Sequence, residues 1–274
     1  MPQTITYKNN SISVNVSGSG EPIIFLHGWP NNSLLWKTQV EALQNSHKAI
    51  TFDWLGFGKS DKPKGHVYTF TAMKENLDAV IQQTVGADEK INIVAHDIGG
   101  PAGILWAAEN PLRVKRLILL NTVIYPFSTP LDAVSHFAFR IPILKNIQMS
   151  NFGLKTTFKV LSKSSSRTMS SRIDEILETP QNLDADMKVR LILEPLKHGK
   201  QNEFKTLAST YKSLDIEKHL IIAKNDPLLY AHISKLSKEN PEVPVHQIGN
   251  SGHFIPLDQP MRLNLILSSI LNTD

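Results

Sequence analysis

"INIVAHDIGGPAGILWAAENP", residues 91–111, decides how this chain is read. An apolar run through Ile91, Ile93 and Val94 stops at Ala95-His96-Asp97-Ile98-Gly99, and a helix-like segment follows at once. A sharp turn from strand to helix lifts its central side chain above the carboxyl edge of a sheet. It needs small residues two before and two after, because strand and helix nearly touch there. Ala95 and Gly99 meet that demand, Gly100 extends it, and Pro101 suits a first helical turn, where its missing N–H costs nothing. The dipole of the following helix favours an ionised carboxylate at Asp97. Aspartate is also a common helix N-cap, so this stretch alone leaves two readings open.

The rest of the chain supplies the sheet. "TITYKNNSISVNV" alternates around Asn9-Asn10 and predicts a β-hairpin, followed by a buried strand at Ile23–Leu26. "KAITFD" (48–53), "INIVAH" and "VKRLILLN" (114–121) are further strands, and "AMKENLDAVIQQTV" (72–85) has helical spacing. "KHLIIAKND" and "VPVHQIG" are strands separated by a helix near Ala231–Lys238, and "QPMRLNLILSSILN" is a closing amphipathic helix. Strands alternating with helices imply an α/β fold with a mostly parallel, doubly wound sheet. The alternation breaks between Thr122 and Asp215. Residues 122–215 therefore read as an inserted helical cap, and 1–121 with 216–274 as the core; the serine-rich "SKSSSRTMSS" within the cap reads as an exposed loop.

A carboxylate attacking a carbonyl gives a labile anhydride. It is better suited to displacement at a saturated carbon, with a halide or a strained-ring oxygen leaving, which puts an alkyl ester on the enzyme. A histidine-activated water can then attack the ester carbonyl, and backbone N–H groups must hold the resulting oxyanion. In "FLHGWPNNSLLW" (25–36) the N–H of Trp29 can point back toward the turn, and the N–H of Ile98 would complete such a hole. His27 reads as a buried turn histidine bonded to backbone. "NSGHFIPLDQP" (250–260) places His253 in the loop after the last strand, where open α/β sheets build their sites. "LIIAKNDPLL" (220–229) ends a strand at Asp226, which can orient that imidazole. The order Asp97, Asp226, His253 along the chain, each after a strand end, favours the nucleophile over the plain cap.

The 274 residues suffice for one large domain, or one domain with an insertion. A net charge of +4 without any basic block or binding motif does not indicate a nucleic-acid partner. The absence of cysteine excludes disulfides, zinc thiolate sites and a cysteine nucleophile. The N-terminus lacks the basic start and apolar run of a signal peptide, and no apolar run reaches membrane-spanning length. The expectation is a cytoplasmic monomer or small homo-oligomer acting on a small molecule and water.

The pieces "HGWP", "FDWLGFGKSDKP", "VAHDIGGPAG", "AKNDPLL" and "GNSGHFIPLDQP" resemble the α/β-hydrolase superfamily, in the branch of haloalkane dehalogenases and epoxide hydrolases. The resemblance covers nearly the whole chain outside the cap. It implies an α/β-hydrolase fold, Asp97 as nucleophile, His253 as base, Asp226 as acid, and the Trp29 and Ile98 backbone as oxyanion hole. No metal or organic cofactor is implied. "LGFGKSDKP" is closer to the dehalogenases than to the epoxide hydrolases, which usually carry Arg-Gly in that turn. Ile98 stands where dehalogenases generally have a halide-binding tryptophan, and Trp29 where they often have asparagine. Trp29 could offer one indole N–H to a leaving halide. The epoxide alternative would take its proton from two cap tyrosines, for which Tyr125 and Tyr211 are the candidates. Ile98 beside the nucleophile suggests an uncharged, largely apolar substrate. Haloalkane-dehalogenase-like hydrolysis is the leading reading and epoxide hydrolysis the next. A cofactor-free oxygenase or luciferase-like enzyme and a non-catalytic ligand receptor are the remaining alternatives.

Between Arg140 and Arg172 the cap is basic at 140, 145, 155, 159, 163, 167 and 172 and has no acidic residue. The expectation is a cap helix with its apolar face on the active site and its lysines in water, with no stable membrane binding.

Overall fold

The computed structural model describes residues 2–126, 141–162, 167–178 and 183–273. Eight strands form one sheet in the order β1-β2-β4-β3-β5-β6-β7-β8. They are β1 (Pro2–Tyr7), β2 (Asn10–Ser17), β3 (Glu21–Leu26), β4 (His47–Phe52), β5 (Ile91–Asp97), β6 (Val114–Thr122), β7 (Glu217–Ala223) and β8 (Val245–Ile248). β1 and β2 form the expected hairpin, with Tyr7 opposite Asn10. Its two-residue turn is Lys8-Asn9, one position earlier than expected, and both residues have positive φ, 46° and 61°. That backbone matches the twist of the flanking strands. β2 pairs antiparallel with β4, and every pairing from β4 to β8 is parallel.

Consecutive strand residues point to opposite faces, and both faces here are covered. Ile24, Leu26, Ile93, Leu117 and Leu119 face one core, with α2 (Phe70–Thr84) and α3 (Gly99–Glu109) packed on it. Ile23, Phe25, Val94, Ile118 and Leu120 face the other, under α1 (Lys37–Leu43) and the closing helix Pro260–Leu271. This double burial explains why the strand sequences run apolar without polar alternation. β3 connects to β4 on one side, while β5 pairs with β3 on the other. The order reverses between β3 and β5, and a crevice opens at their carboxyl ends, where such sheets bind ligands.

Between β6 and β7 the described residues form helices and no strand. They are α4 (Pro142–Met149), α5 (Asn151–Leu161), α6 (Arg167–Glu178), α7 (Ala185–Gln201) and α8 (Leu207–Ser213). Two expectations about this region change. The end of the serine-rich run is helical: α6 starts at Arg167 because Ile173, Ile176 and Leu177, at helical spacing, bury themselves in the second core. The α4–α5 pair is apolar on two faces rather than one. Met149, Leu154 and Phe158 turn inward, but Ile143 (72%), Phe152 (77%) and Val160 (71%) are exposed. Its lysines are partly engaged, with Lys145 paired to Asp186 and Lys155 to Asp174. Arg140 and Lys163 lie outside the described residues. No helix among the described residues is long and apolar enough to cross a membrane.

Candidate active site

Asp97 ends β5 with φ 55°, a left-handed conformation that costs a non-glycine residue about 1 kcal/mol or more. The turn holds because its neighbours are packed without slack. A β-carbon on Gly100 would overlap the Thr122 side chain, and one on Gly28 would overlap the Asp97 carboxylate. The Thr122 hydroxyl also donates to the Asp97 carbonyl at 2.5 Å. One wall of the crevice, the end of β3, thus touches the tip of the other.

The Trp29 N–H donates to Asp97 Oδ1 at 3.1 Å, and the Ile98 N–H helps to hold the Asp97 carboxyl below its ordinary value. These are the two backbone donors expected from the sequence. The other carboxylate oxygen, Oδ2, lies 3.4 Å from His253 Nε2. His253 Nδ1 lies 2.9 Å from Asp226 Oδ2. Three residues separated by up to 156 positions therefore form one chain of contacts at the carboxyl edge, through loops after β5, β7 and β8.

The electrostatics follow from burial and pairing. Burial opposes charge on His253, but the Asp226 and Asp97 carboxylates outweigh it and raise its pKa to about 10. Burial likewise opposes charge on Asp97, and His253 together with the Ile98 N–H outweighs it, holding the carboxyl below its ordinary value. Asp226 is lowered in the same way, by His253 and the N–H groups of Leu228 and Leu229. At neutral pH the site holds two carboxylates around one imidazolium.

Several supporting residues are not evident from the sequence. Asn121, at the end of β6, donates to Asp226 Oδ2 at 2.8 Å and accepts from the Ala223 N–H at 3.1 Å, fixing the carboxylate from behind. His96 Nε2 lies 2.8 Å from the His253 carbonyl, and burial lowers its pKa to about 4, so it is neutral and can donate there. The His253 N–H donates to the Leu161 carbonyl at the end of α5, at 2.7 Å, tying the histidine loop to the cap. Asp258 accepts from the Gly252 N–H at 2.7 Å and from Ser162. His27 is the buried turn histidine expected, bonded to the Gly28 carbonyl and the Trp54 N–H.

A small pocket is lined by Trp29, Phe57, Leu154, Leu183, Leu191 and Lys188, among others. Trp29 serves both places: its N–H reaches Asp97, and its indole Nε1 donates to the Lys188 carbonyl at 3.3 Å. Neither tyrosine candidate lines this pocket. Tyr125 donates to Glu239 and carries Lys235 over its ring. Tyr211, on α8, is fully buried in the core.

Residues 21–260 match the family model for the alpha/beta hydrolase fold. A cis-3-alkyl-4-alkyloxetan-2-one decarboxylase of Shewanella oneidensis is 30% identical over 249 residues, 87% of this chain and 78% of that protein. A haloalkane dehalogenase of Sphingobium indicum is 32% identical over a shorter stretch, 40% of this chain and 38% of that one. In structure, the haloalkane dehalogenase DatA of Agrobacterium tumefaciens superposes with a TM-score of 0.82 at 22% identity, over 99% of this chain and 96% of that one, a likeness of fold. The strand order, the turn at Asp97 and a family match over most of the chain agree: the protein belongs to the α/β hydrolase fold family and is an enzyme of hydrolase type.

Proposed function

We propose that the enzyme works through a covalent ester on Asp97, formed by displacement at a saturated carbon and hydrolysed by water activated at His253. The observation that carries this is the division of labour on one carboxylate. Oδ1 faces the Trp29 N–H, while Oδ2 faces His253. Oδ2 attacks and becomes the ester oxygen. Oδ1 becomes the ester carbonyl, already among the N–H groups that stabilise the oxyanion when water adds.

The charge pattern also orders the steps. With both carboxylates ionised, His253 holds its proton. Alkylation removes the charge of Asp97, so the imidazolium loses one of its two partners and its pKa falls. The base becomes available after the ester exists and not before. The proton of Nε2 leaves to solvent in that interval, and the water attacking Cγ gives its own proton to the freed nitrogen.

The leaving group follows from what the pocket offers. A halide would have the Trp29 indole, which is engaged with the Lys188 carbonyl. An epoxide oxygen would need an acid, and neither Tyr125 nor Tyr211 lines the pocket. A second reading is therefore the opening of a strained cyclic ester, favoured by the Shewanella oxetan-2-one decarboxylase, whose likeness runs over 87% of this chain. Attack at the saturated ring carbon would give the Asp97 ester and a free carboxylate. Hydrolysis would then yield a hydroxy acid. Alternatively, loss of carbon dioxide with expulsion of Asp97 would yield an alkene.

The test is the intact mass of the His253→Phe enzyme after exposure to small haloalkanes, epoxides and β-lactones. A stoichiometric adduct mapped to Asp97 is expected from at least one class. An adduct lacking halogen identifies dehalogenation, and one carrying the whole ring identifies ring opening. No adduct from any class would overturn the nucleophile reading. Gly28→Ala, whose new methyl would push the carboxylate by ~1 Å, is expected to lower turnover about 100-fold with an unchanged circular dichroism spectrum. Turnover near that of the native enzyme would show that Asp97 does not act from this position.

A further inference from the structure

We infer that the carboxyl-terminal end of α5 positions His253 for the second half of the reaction, with Asp258 and Ser162 as the positioning residues that join cap to loop. This rests on the reading of Asp97 as nucleophile and His253 as base, and it adds which contacts govern which step.

Asp97 and His253 are held by different scaffolds. Apart from His253, the contacts at Asp97 come from the core: Thr122 at its carbonyl, the Trp29 N–H at Oδ1, and Gly28 against its carboxylate. The histidine loop is gripped by the cap at three consecutive residues. A β-carbon on Gly252 would lie 2.1 Å from the Leu161 carbonyl oxygen. The His253 N–H donates to that same oxygen at 2.7 Å. The Phe254 ring stacks on Phe158, with centroids 4.4 Å apart. The last carbonyls of a helix have no partner within it, and Leu161 is the last residue of α5.

Asp258 closes the same junction. It ends the short helical segment Ile255–Asp258 and is 6% exposed. Its Oδ2 accepts from the Gly252 N–H at 2.7 Å, and its Oδ1 accepts from the Ser162 hydroxyl. Ser162 follows directly on α5 and is buried as well. One carboxylate thus ties the residue before His253 to the residue after Leu161. The charges that chiefly raise the His253 pKa are those of Asp226 and Asp97, so Asp258 acts here through its two hydrogen bonds. Leu154, two turns earlier on α5, lines the pocket, so one helix touches both the pocket and the histidine loop.

The two steps use this grip unequally. In alkylation the Oδ2 electron pair attacks the saturated carbon, and the leaving group departs with its electrons. No proton passes to His253. In hydrolysis the water oxygen bonds Cγ while its proton passes to Nε2. The Cγ–Oδ2 bond then breaks, Nε2 returns the proton to the departing alkoxide, and the regenerated Asp97 carboxyl loses its own proton to solvent. Proton transfer demands hydrogen-bonded geometry at Nε2. A shift of the histidine loop therefore slows hydrolysis and spares alkylation.

The experiment follows the Asp97 adduct through a single turnover by quenched-flow intact mass. The probes are 1-bromobutane, 1,2-epoxybutane and 4-methyloxetan-2-one, each used if it alkylates the His253→Phe enzyme. Asp258→Ala should slow loss of the adduct about 100-fold, the scale of a 1 Å misplacement, and its formation by less than about 3-fold, so that the adduct accumulates. Asp258→Asn should restore most of the rate, because its amide oxygen can accept from Gly252 and its amide N–H can donate to Ser162. Gly252→Ala, whose methyl would press on the Leu161 carbonyl, should give the same selective loss. The pH midpoint of adduct loss should stay in place in all three. Ser162→Ala removes one hydroxyl, should slow adduct loss about 5-fold, and serves if Asp258→Ala fails to fold. Equal slowing of both steps, or of neither, would make the junction a fold contact only and overturn the inference. So would an Asp258→Asn enzyme as slow as Asp258→Ala, or a shifted midpoint. In each of those outcomes the adduct still forms and Asp97 stands as nucleophile. If no probe alkylates the His253→Phe enzyme, the nucleophile reading and this inference fall together.

Discussion

Replacing Asp97 with asparagine should lower turnover by about 10⁵-fold or more, the scale seen when an enzyme loses its nucleophile. Asparagine is the informative choice because the backbone has φ 55°, a region that asparagine tolerates better than most residues. The turn, the Trp29 N–H and the Ile98 N–H can therefore remain in place. What is lost is the anionic oxygen facing His253 at 3.4 Å. An amide oxygen does not displace a leaving group from saturated carbon at a useful rate, so the covalent mass adduct should vanish with it. Circular dichroism and the unfolding temperature should stay close to native. Substantial turnover in this variant, after exclusion of deamidation by mass, would mean that Asp97 only caps its helix.

Asp226→Asn should cost about 10⁴-fold, because an amide in that position can leave the imidazole in the wrong tautomer and removes the charge that stabilises its protonated form. The burial of Asp226 sharpens the effect. Its carboxylate accepts from Asn121, Leu228 and Leu229 as well as contacting His253, and solvent cannot replace it. The same variant carries a stability signature with a definite sign. The folded pKa of His253, about 10, lies above the unfolded value near 6.5. Its contribution to stability is therefore complete below about pH 6.5 and is lost as pH rises toward 10. In Asp226→Asn that decline should shrink, and the acid limb of the turnover profile should move to lower pH. Thermal melts from pH 6 to 10 check the first, and kcat against pH checks the second. An unchanged melt profile would show that Asp226 does not hold the charge on His253.

The two to three orders of magnitude separating these variants from Gly28→Ala reflect what each removes. Asp97 and Asp226 carry the charges that flank His253, whereas Gly28 only leaves room for the Asp97 carboxylate. Asn121, His96 and Asp258 act one step further out, by holding Asp226 and the His253 loop. The cap joins this network through the Leu161 carbonyl, so a displacement of α5 would be felt at His253.

The sheet, its parallel sense and the positions of Asp97, Asp226 and His253 were legible in the sequence, because each depends on local pattern. Apolar runs give doubly covered strands, small residues flanking a polar one give a tight turn, and a polar residue just past a strand end lies at the sheet edge. The two-faced α4–α5 pair and the helical end of the serine run were not legible. Their residues are assigned to core or surface by which neighbours reach them, and the same apolar spacing serves either outcome. Asn121, His96 and Lys188 were hidden for a related reason, since a lone polar residue acquires its partner only across 39 to 157 positions of chain. The leaving group belongs to the same category. The sequence alone determined that a carboxylate would stand at the tip of the turn. The tertiary structure decided which indole and which apolar walls line the pocket, because Trp29 and Phe57 come from core loops while Leu154, Lys188 and Leu191 come from separate cap helices.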